Sequence, residues 1–157
     1  MYITRLLSAT VPAIIAAAAL AASPAVELTT KVWKEKRTAS ADGTTSVTLV
    51  SSPRAVPGDR LVYTISYRNR TTAPVAGIVV DDPLPAGVMF VAPVLGSASP
   101  ELSVDGRTFG PLASLTKAGA PGAQPATNED VTHLRWRIPG ATPAGGGGEV
   151  SFKAVLK

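Results

Sequence analysis

Arg60-Leu61-Val62-Tyr63-Thr64-Ile65-Ser66-Tyr67-Arg68 is the stretch on which the fold turns. Leu61, Tyr63, Ile65 and Tyr67 fall on one side of a two-residue period; Arg60, Thr64, Ser66 and Arg68 fall on the other. An α-helix repeats every 3.6 residues and would spread both sets around its girdle, so the alternation predicts a β-strand with one buried face. Pro57-Gly58-Asp59 sets a turn just before it, because proline fixes one backbone angle and glycine tolerates positive φ.

The same period recurs on either side. Leu134, Trp136 and Ile138 alternate with His133, Arg135 and Arg137. Val150, Phe152, Ala154 and Leu156 alternate with Ser151, Lys153, Val155 and Lys157. Val26, Leu28 and Val32 alternate before the charged run Lys34-Glu35-Lys36-Arg37, and Val47 and Leu49 suggest a further strand. Shorter strands are expected at residues 78–80, 88–91 and 102–104. Asp42-Gly43 and Asp105-Gly106 are hairpin dipeptides. Pro83 and Pro85 lack an amide donor and cannot continue a central strand. Residues 119–128 read as a long loop, and the glycine run 145–148 as a flexible bend entering the closing strand. With 14 glycines and 14 prolines, long helices are disfavoured throughout. Seven or eight short strands with turns between them predict an all-β protein, an antiparallel β-sandwich of immunoglobulin-like type, with a closed barrel as the structural alternative.

The N-terminus carries a different message. Residues 1–5 hold one cation, Arg5, and no charge follows up to Ala22. Ser23 and Ala25 place small residues at the minus-three and minus-one positions of a cleavage site after Ala25. That order predicts a signal peptide over residues 1–25 and an exported domain over 26–157. The alternative is an uncleaved membrane anchor, which Ser8, Thr10 and Pro12 interrupt.

Composition narrows the chemistry. The chain has no cysteine, so disulfides, thiolate metal sites and cysteine nucleophiles are excluded within it. His133 is its single histidine, so no His-His metal motif exists. A serine triad would need His133, which sits on the outward side of its strand between arginines. No Gly-x-Ser-x-Gly elbow occurs. Asp59, Asp81 and Asp82 are the candidate oxygen ligands for calcium at a loop end, although turn chemistry accounts for the same aspartates. Asp81 and Asp82 are adjacent, so in a strand they point to opposite faces and cannot work as an acid–base pair. Glu129-Asp130 reads as the solvated entry to the next strand. Tyr63, Tyr67, Trp136 and Phe152 could form a sugar-stacking platform, but their parity places them with leucine, isoleucine and valine in the core. Trp33 is the better candidate for an exposed aromatic, unless a bulge turns it inward. The net charge of +4 comes from scattered bases, and export argues against a nucleic-acid partner. No catalytic residue, cofactor or resident metal is expected.

Several phrases stand in order: Leu28-Thr29-Thr30-Lys31-Val32, Pro57-Gly58-Asp59, Val62-Tyr63-Thr64-Ile65, Tyr67-Arg68-Asn69, Val79-Val80-Asp81-Asp82-Pro83-Leu84-Pro85-Ala86-Gly87-Val88, Leu134-Arg135-Trp136 and Gly148-Glu149-Val150-Ser151-Phe152. This series resembles the bacterial conserved-repeat domain, the family catalogued as domain of unknown function eleven, over residues 57–157. That family often occurs as tandem copies in large surface proteins; here there is one copy. Thr71 stands where the family usually has glycine, and an insertion over residues 97–128 separates the middle strands from the tryptophan strand. The resemblance implies an immunoglobulin-like module of the cell envelope and supplies no catalytic residues.

The expected function is therefore that of a non-enzymatic structural or interaction module, in the periplasm or at the cell surface. Its partner would be an envelope protein or polymer, with the membrane touched only through the signal segment. The alternatives are a subunit or assembly factor of a surface filament working by strand addition, and a loop-borne enzyme or ligand carrier using residues 97–128. If residues 26–32 pair within their own chain, the charged run behind them guards the sheet edge and predicts a monomer.

Overall fold

The computed structural model describes residues 25–41, 43–51, 54–117, 122 and 124–157. The signal peptide predicted over residues 1–25 lies outside them except for Ala25. The described residues form ten strands: β1 (Val26–Ala39), β2 (Thr45–Val50), β3 (Arg60–Asn69), β4 (Val75–Ala76), β5 (Val79–Pro83), β6 (Val88–Pro93), β7 (Glu101–Ser103), β8 (His133–Arg137), β9 (Ala141–Thr142) and β10 (Gly147–Leu156). Two short 3-10 turns, Leu112–Ser114 and Asn128–Asp130, are the only helical pieces among them. The all-β expectation holds, with two of the ten strands only two residues long.

Every pairing is antiparallel. A five-stranded sheet runs β2-β1-β3-β10-β6, a three-stranded sheet β5-β8-β7, and β4 pairs with β9. The decisive stretch is β3, with β1 on one side and β10 on the other. Leu61, Tyr63 and Ile65 turn into the core as their period requires, together with Phe90 of β6 and Val150, Phe152 and Ala154 of β10. Val80, Leu102, Leu134 and Trp136 from the three-stranded sheet join the same cluster. Phe152 is its centre: the Tyr63 ring stacks on it at 4.9 Å, and Trp136 and Phe90 tilt against it at 6.0 and 6.1 Å. Such ring pairs contribute about 0.5–1.5 kcal/mol each beyond the area they bury.

Four local expectations are revised. Gly147 and Gly148 are not a bend; they belong to β10 and pair with Arg68 and Tyr67. The reason lies across the sheet. A Cβ on Gly147 would run into the Tyr67 carbonyl oxygen, and one on Gly148 would lie 2.5 Å from the Tyr67 hydroxyl oxygen. The insertion over residues 97–128 is more than a loop: besides β7, which answers to the short strand expected at 102–104, it sends Leu102, Leu115 and Ala126 into the core. Leu102 and Gly110 exchange two main-chain hydrogen bonds, of 2.8 and 3.0 Å, around the Asp105-Gly106 turn. Of the loop expected over residues 119–128, positions 119–121 and 123 lie outside the described residues.

The third revision concerns β1. Its residues 26–34 pair with β3, within the chain, as expected. Yet Leu28 is 48% and Val32 42% exposed, although they stand opposite Tyr67 and Tyr63. Val26 alone of β1 packs against the core. The alternation of β1 thus marks a true strand whose apolar face is left largely uncovered beyond Val26. The fourth is the position of Lys34-Glu35-Lys36-Arg37. This run pairs with Val50, Leu49, Thr48 and Val47 of β2, so the outermost strand is β2 and the charges lie one strand inside it. β1 and β2 are joined through the Asp42-Gly43 turn, in which Ser40 N–H donates to Thr44 O and Gly43 N–H to Ser40 O; Asp42 itself is outside the described residues.

Candidate functional site: the edge ribbon

The three aspartates singled out as calcium candidates do not converge. Asp59 is held at the mouth of β3 by Lys34 Nζ at 2.7 Å and by the Val56 amide at 2.9 Å, and these two contacts keep its carboxyl below the ordinary range. Asp81 points outward and pairs with Arg135, whose Nη2 lies 2.5 Å from Oδ2. Asp82 stands opposite the fully buried Leu134, on the inner side of β5. Its Oδ2 is buried without a hydrogen-bond partner, and burial first, then the Asp81 charge, push its carboxyl up. The opposite orientation of the pair follows from strand geometry, as anticipated. Among the described residues no three histidine, aspartate or glutamate side chains gather as a metal-binding group.

The other polar candidates serve the fold. His133 is half-buried, with Nδ1 2.9 Å from Thr132 Oγ1 and Phe109 edge-on to its ring at 6.5 Å. The guanidinium of Arg135 lies over the Phe109 ring at 3.5 Å, so the loop after β7 is clamped to the outer face of β8. Ser103, opposite His133, donates its hydroxyl proton to Asp105 Oδ1 rather than serving the imidazole. Asp105 accepts from the Thr108 and Arg107 amides, which with the Ser103 and Thr108 hydroxyls bring its carboxyl down to about 2. Asp130 does more than enter a strand. It closes a capping box with Thr127 and pairs with Lys117 at 2.9 Å; the Thr127 amide and Lys117 lead in bringing it to about 2. The spacing Thr127-x-x-Asp130 is the signal that reveals it in the sequence.

A shallow cavity of about 210 Å³ lies between Val104, Asp105, Thr108 and residues 114–117. Its charged lining groups are already committed, Asp105 to backbone amides and Lys117 to Asp130. They leave no convergent pair aimed at a ligand among the described residues.

The unabsorbed surface is the β1–β2 ribbon. Val47 is 51% and Leu49 50% exposed, on the same face as Glu35 and Arg37. Trp33, expected to be exposed, is half-buried on this face opposite Val62. Its register is continuous, so no bulge turns it inward. Val62 is itself only 5% exposed although its parity is opposite to that of Leu61 and Tyr63. Glu35 lies beside them, its side chain 6% exposed, with Lys153 Nζ at 3.6 Å and Arg37 Nη2 at 3.9 Å. The outer face of the sheet is therefore ordered by Trp33, Val62, Glu35 and Lys153, while Val47 and Leu49 remain open at its margin. Sequence alternation marks Val47 and Leu49 as strand residues; nothing local in it says that their strand is outermost.

No protein-family model, curated protein or solved structure matches this chain.

Proposed function

We propose that this protein is an exported, non-enzymatic interaction module of the bacterial cell envelope, built as an immunoglobulin-like β-sandwich. The observation that carries the reading is the open margin of the five-stranded sheet: Val47 and Leu49 exposed on a strand held in register by β1. A sheet edge with apolar side chains beside it recruits an extended partner through main-chain hydrogen bonds. The order β1-β3-β10-β6 is that of strands A, B, E and D in an immunoglobulin sheet, which supports the architecture. β7 and β8 depart from that pattern, because they precede the closing strand instead of following it. The resemblance to the conserved-repeat family belongs to the same proposal, as does the cleavage after Ala25.

Two measurements test it. Fractionation with intact mass should find a chain beginning at Val26 outside the cytosol; a full-length cytosolic species refutes export. In-cell crosslinking from cysteines placed along β2 should capture envelope components. Capture that is no greater than from a cysteine at the fully exposed Leu95 refutes the use of this edge for an envelope partner. The filament alternative is favoured by the same edge and not by β1, which is already paired within its own chain.

A further inference from the structure

We infer that the free edge of β2 pairs with β2 of a second copy of this chain, antiparallel about a two-fold axis, joining two five-stranded sheets into one. The inference deepens the interaction-module reading, since it uses the same edge and names its occupant.

Among the described residues, the outermost strands of the two larger sheets are β2, β6, β5 and β7. Three of them carry the devices that discourage edge pairing. β5 has Asp81, Asp82 and Pro83, β6 ends in Pro93, and β7 is three residues long and bears Glu101. β2 reads Thr-Ser-Val-Thr-Leu-Val, with neither charge nor proline. Edge strands without charge, proline or bulge are templates for strand addition.

The main chain of β2 is also in phase. The turn that joins β1 to β2 closes on the bond from Ser40 N–H to Thr44 O. In an antiparallel ladder, hydrogen-bonded and non-hydrogen-bonded pairs alternate. Counting from Ser40 and Thr44, the pairs Thr38–Ser46 and Lys36–Thr48 exchange bonds inside the ribbon. Thr45, Val47 and Leu49 then aim their N–H and C=O groups away from β1, at the free edge. A second β2 with its two-fold axis at Thr48 sets Val47 opposite Leu49 of the other copy, and Leu49 opposite Val47. Both are hydrogen-bonded positions, giving roughly four new main-chain bonds. The four aliphatic side chains share one face, and the two Thr48 side chains meet on the other; aliphatic and Thr–Thr cross-strand pairs are both favourable.

The charged run favours a second copy over a random strand less than it permits one. Lys34, Glu35, Lys36 and Arg37 lie one strand back from the edge. Across the joined sheet, two β1 strands would be separated by three strand spacings, about 14 Å. That exceeds the Debye length of about 8 Å at physiological salt, so their like charges are screened. An uncharged six-residue edge selects no charged partner, whereas its own sequence supplies apolar complements at Val47 and Leu49 and a threonine complement at Thr48. An isologous contact of this kind closes at two copies and does not propagate.

The chain has no cysteine, which makes the test clean. Thr48→Cys places two thiols at the two-fold axis in a non-hydrogen-bonded pair, with Cα atoms about 4.5 Å apart, within disulfide reach. In the purified full-length gene product, in its natural processed form, mild oxidation should give a disulfide dimer at least about tenfold faster than Leu95→Cys, because pairing raises the local thiol concentration. Light scattering of the unmodified protein should show mass rising toward twice the monomer with concentration, and Thr48→Lys should return it to monomer while keeping the thermal midpoint that the unmodified protein has at concentrations where it is itself monomeric. Equal rates for the two cysteine variants overturn the inference. So does a monomer at every concentration, or growth beyond two copies. These are read on the isolated protein, so failure here leaves envelope capture by β2 as a separate result, and failure of that capture leaves the dimer standing.

Discussion

The Asn69 side chain ends β3 and ties three segments together. Its amide group donates to the carbonyls of Ala73, Thr142 and Pro143 at 2.8, 3.0 and 3.1 Å, and its oxygen accepts from the amide and hydroxyl of Thr71 at 2.9 and 2.8 Å. The residue is fully buried, so truncation strands several polar groups without water. Asn69→Ala should cost about 3 kcal/mol, read as a lowered urea midpoint with unchanged slope. Asn69→Asp should be no better, because a carboxylate cannot donate. The Thr71 hydroxyl completes this cluster, and nothing in the local sequence announces that use. Asp82 is the opposite case, a buried carboxylate oxygen with no partner. Its folded pKa lies above the unfolded value of 3.8, so its charge costs stability as pH rises through the interval between the two, and the cost persists at neutral pH. Asp82→Asn should therefore raise the urea midpoint at neutral pH, and the gain should vanish well below 3.8. A gain that stays constant with pH would show that ionisation is not its source. The opposite facing of Asp81 and Asp82 was legible from strand parity. The isolation of Asp82 was not, because it depends on what the other sheet presents.

Among the elements, β3 and β10 show where local pattern suffices and where it does not. The alternation of Leu61, Tyr63 and Ile65 marks β3 without help. In β10, Val150, Phe152 and Ala154 do the same for the later half, but Gly147 and Gly148 hide the start. Glycine weakens a strand, and a run of it reads as a bend unless a neighbour needs the space. That neighbour is Tyr67, about eighty residues earlier in the chain, whose ring occupies the place of the missing side chain at Gly148. Gly148→Ala should then destabilise by about 1–3 kcal/mol, as overpacking does. In a Tyr67→Ala background the same change should cost much less. A double-mutant cycle reads the coupling, and two independent costs would mean that Gly148 serves the backbone and not the ring. The insertion shows a related limit. Leu102, Leu115 and Ala126 are too widely spaced to declare a face, so their burial comes from the fold around them and not from any period. β1 shows the converse, because a correct alternation overstated its burial: period identifies a strand, whereas cover depends on the opposing layer.

At the scale of the molecule, acid response and chain order are the properties no single element decides. Asp105 and Asp130 are held near 2 by backbone amides and neighbouring side chains, and Asp59 is lowered as well. Each contributes stability that is present above the unfolded value of 3.8 and is lost as pH falls toward the folded one. Circular dichroism during acid titration should place the loss of structure below 3.8, and Asp105→Asn combined with Asp130→Asn should flatten it; an unfolding limb unaffected by both changes would assign it to other groups. The all-β class was legible from period and turns, but the order of strands was not, since alternation carries no record of which strands are neighbours. That order has a consequence for how the molecule comes into being. β10 follows the other nine described strands in sequence and lies between β3 and β6 in space. Until it is made, β6 has no neighbour in its sheet, β3 lacks one of its two, and Phe152 is missing from the aromatic cluster. The β1-β2-β3 ribbon and the β5-β8-β7 sheet can pair without β10, but the aromatic cluster between them cannot be completed, so β10 acts as the keystone that converts separate ribbons into one core.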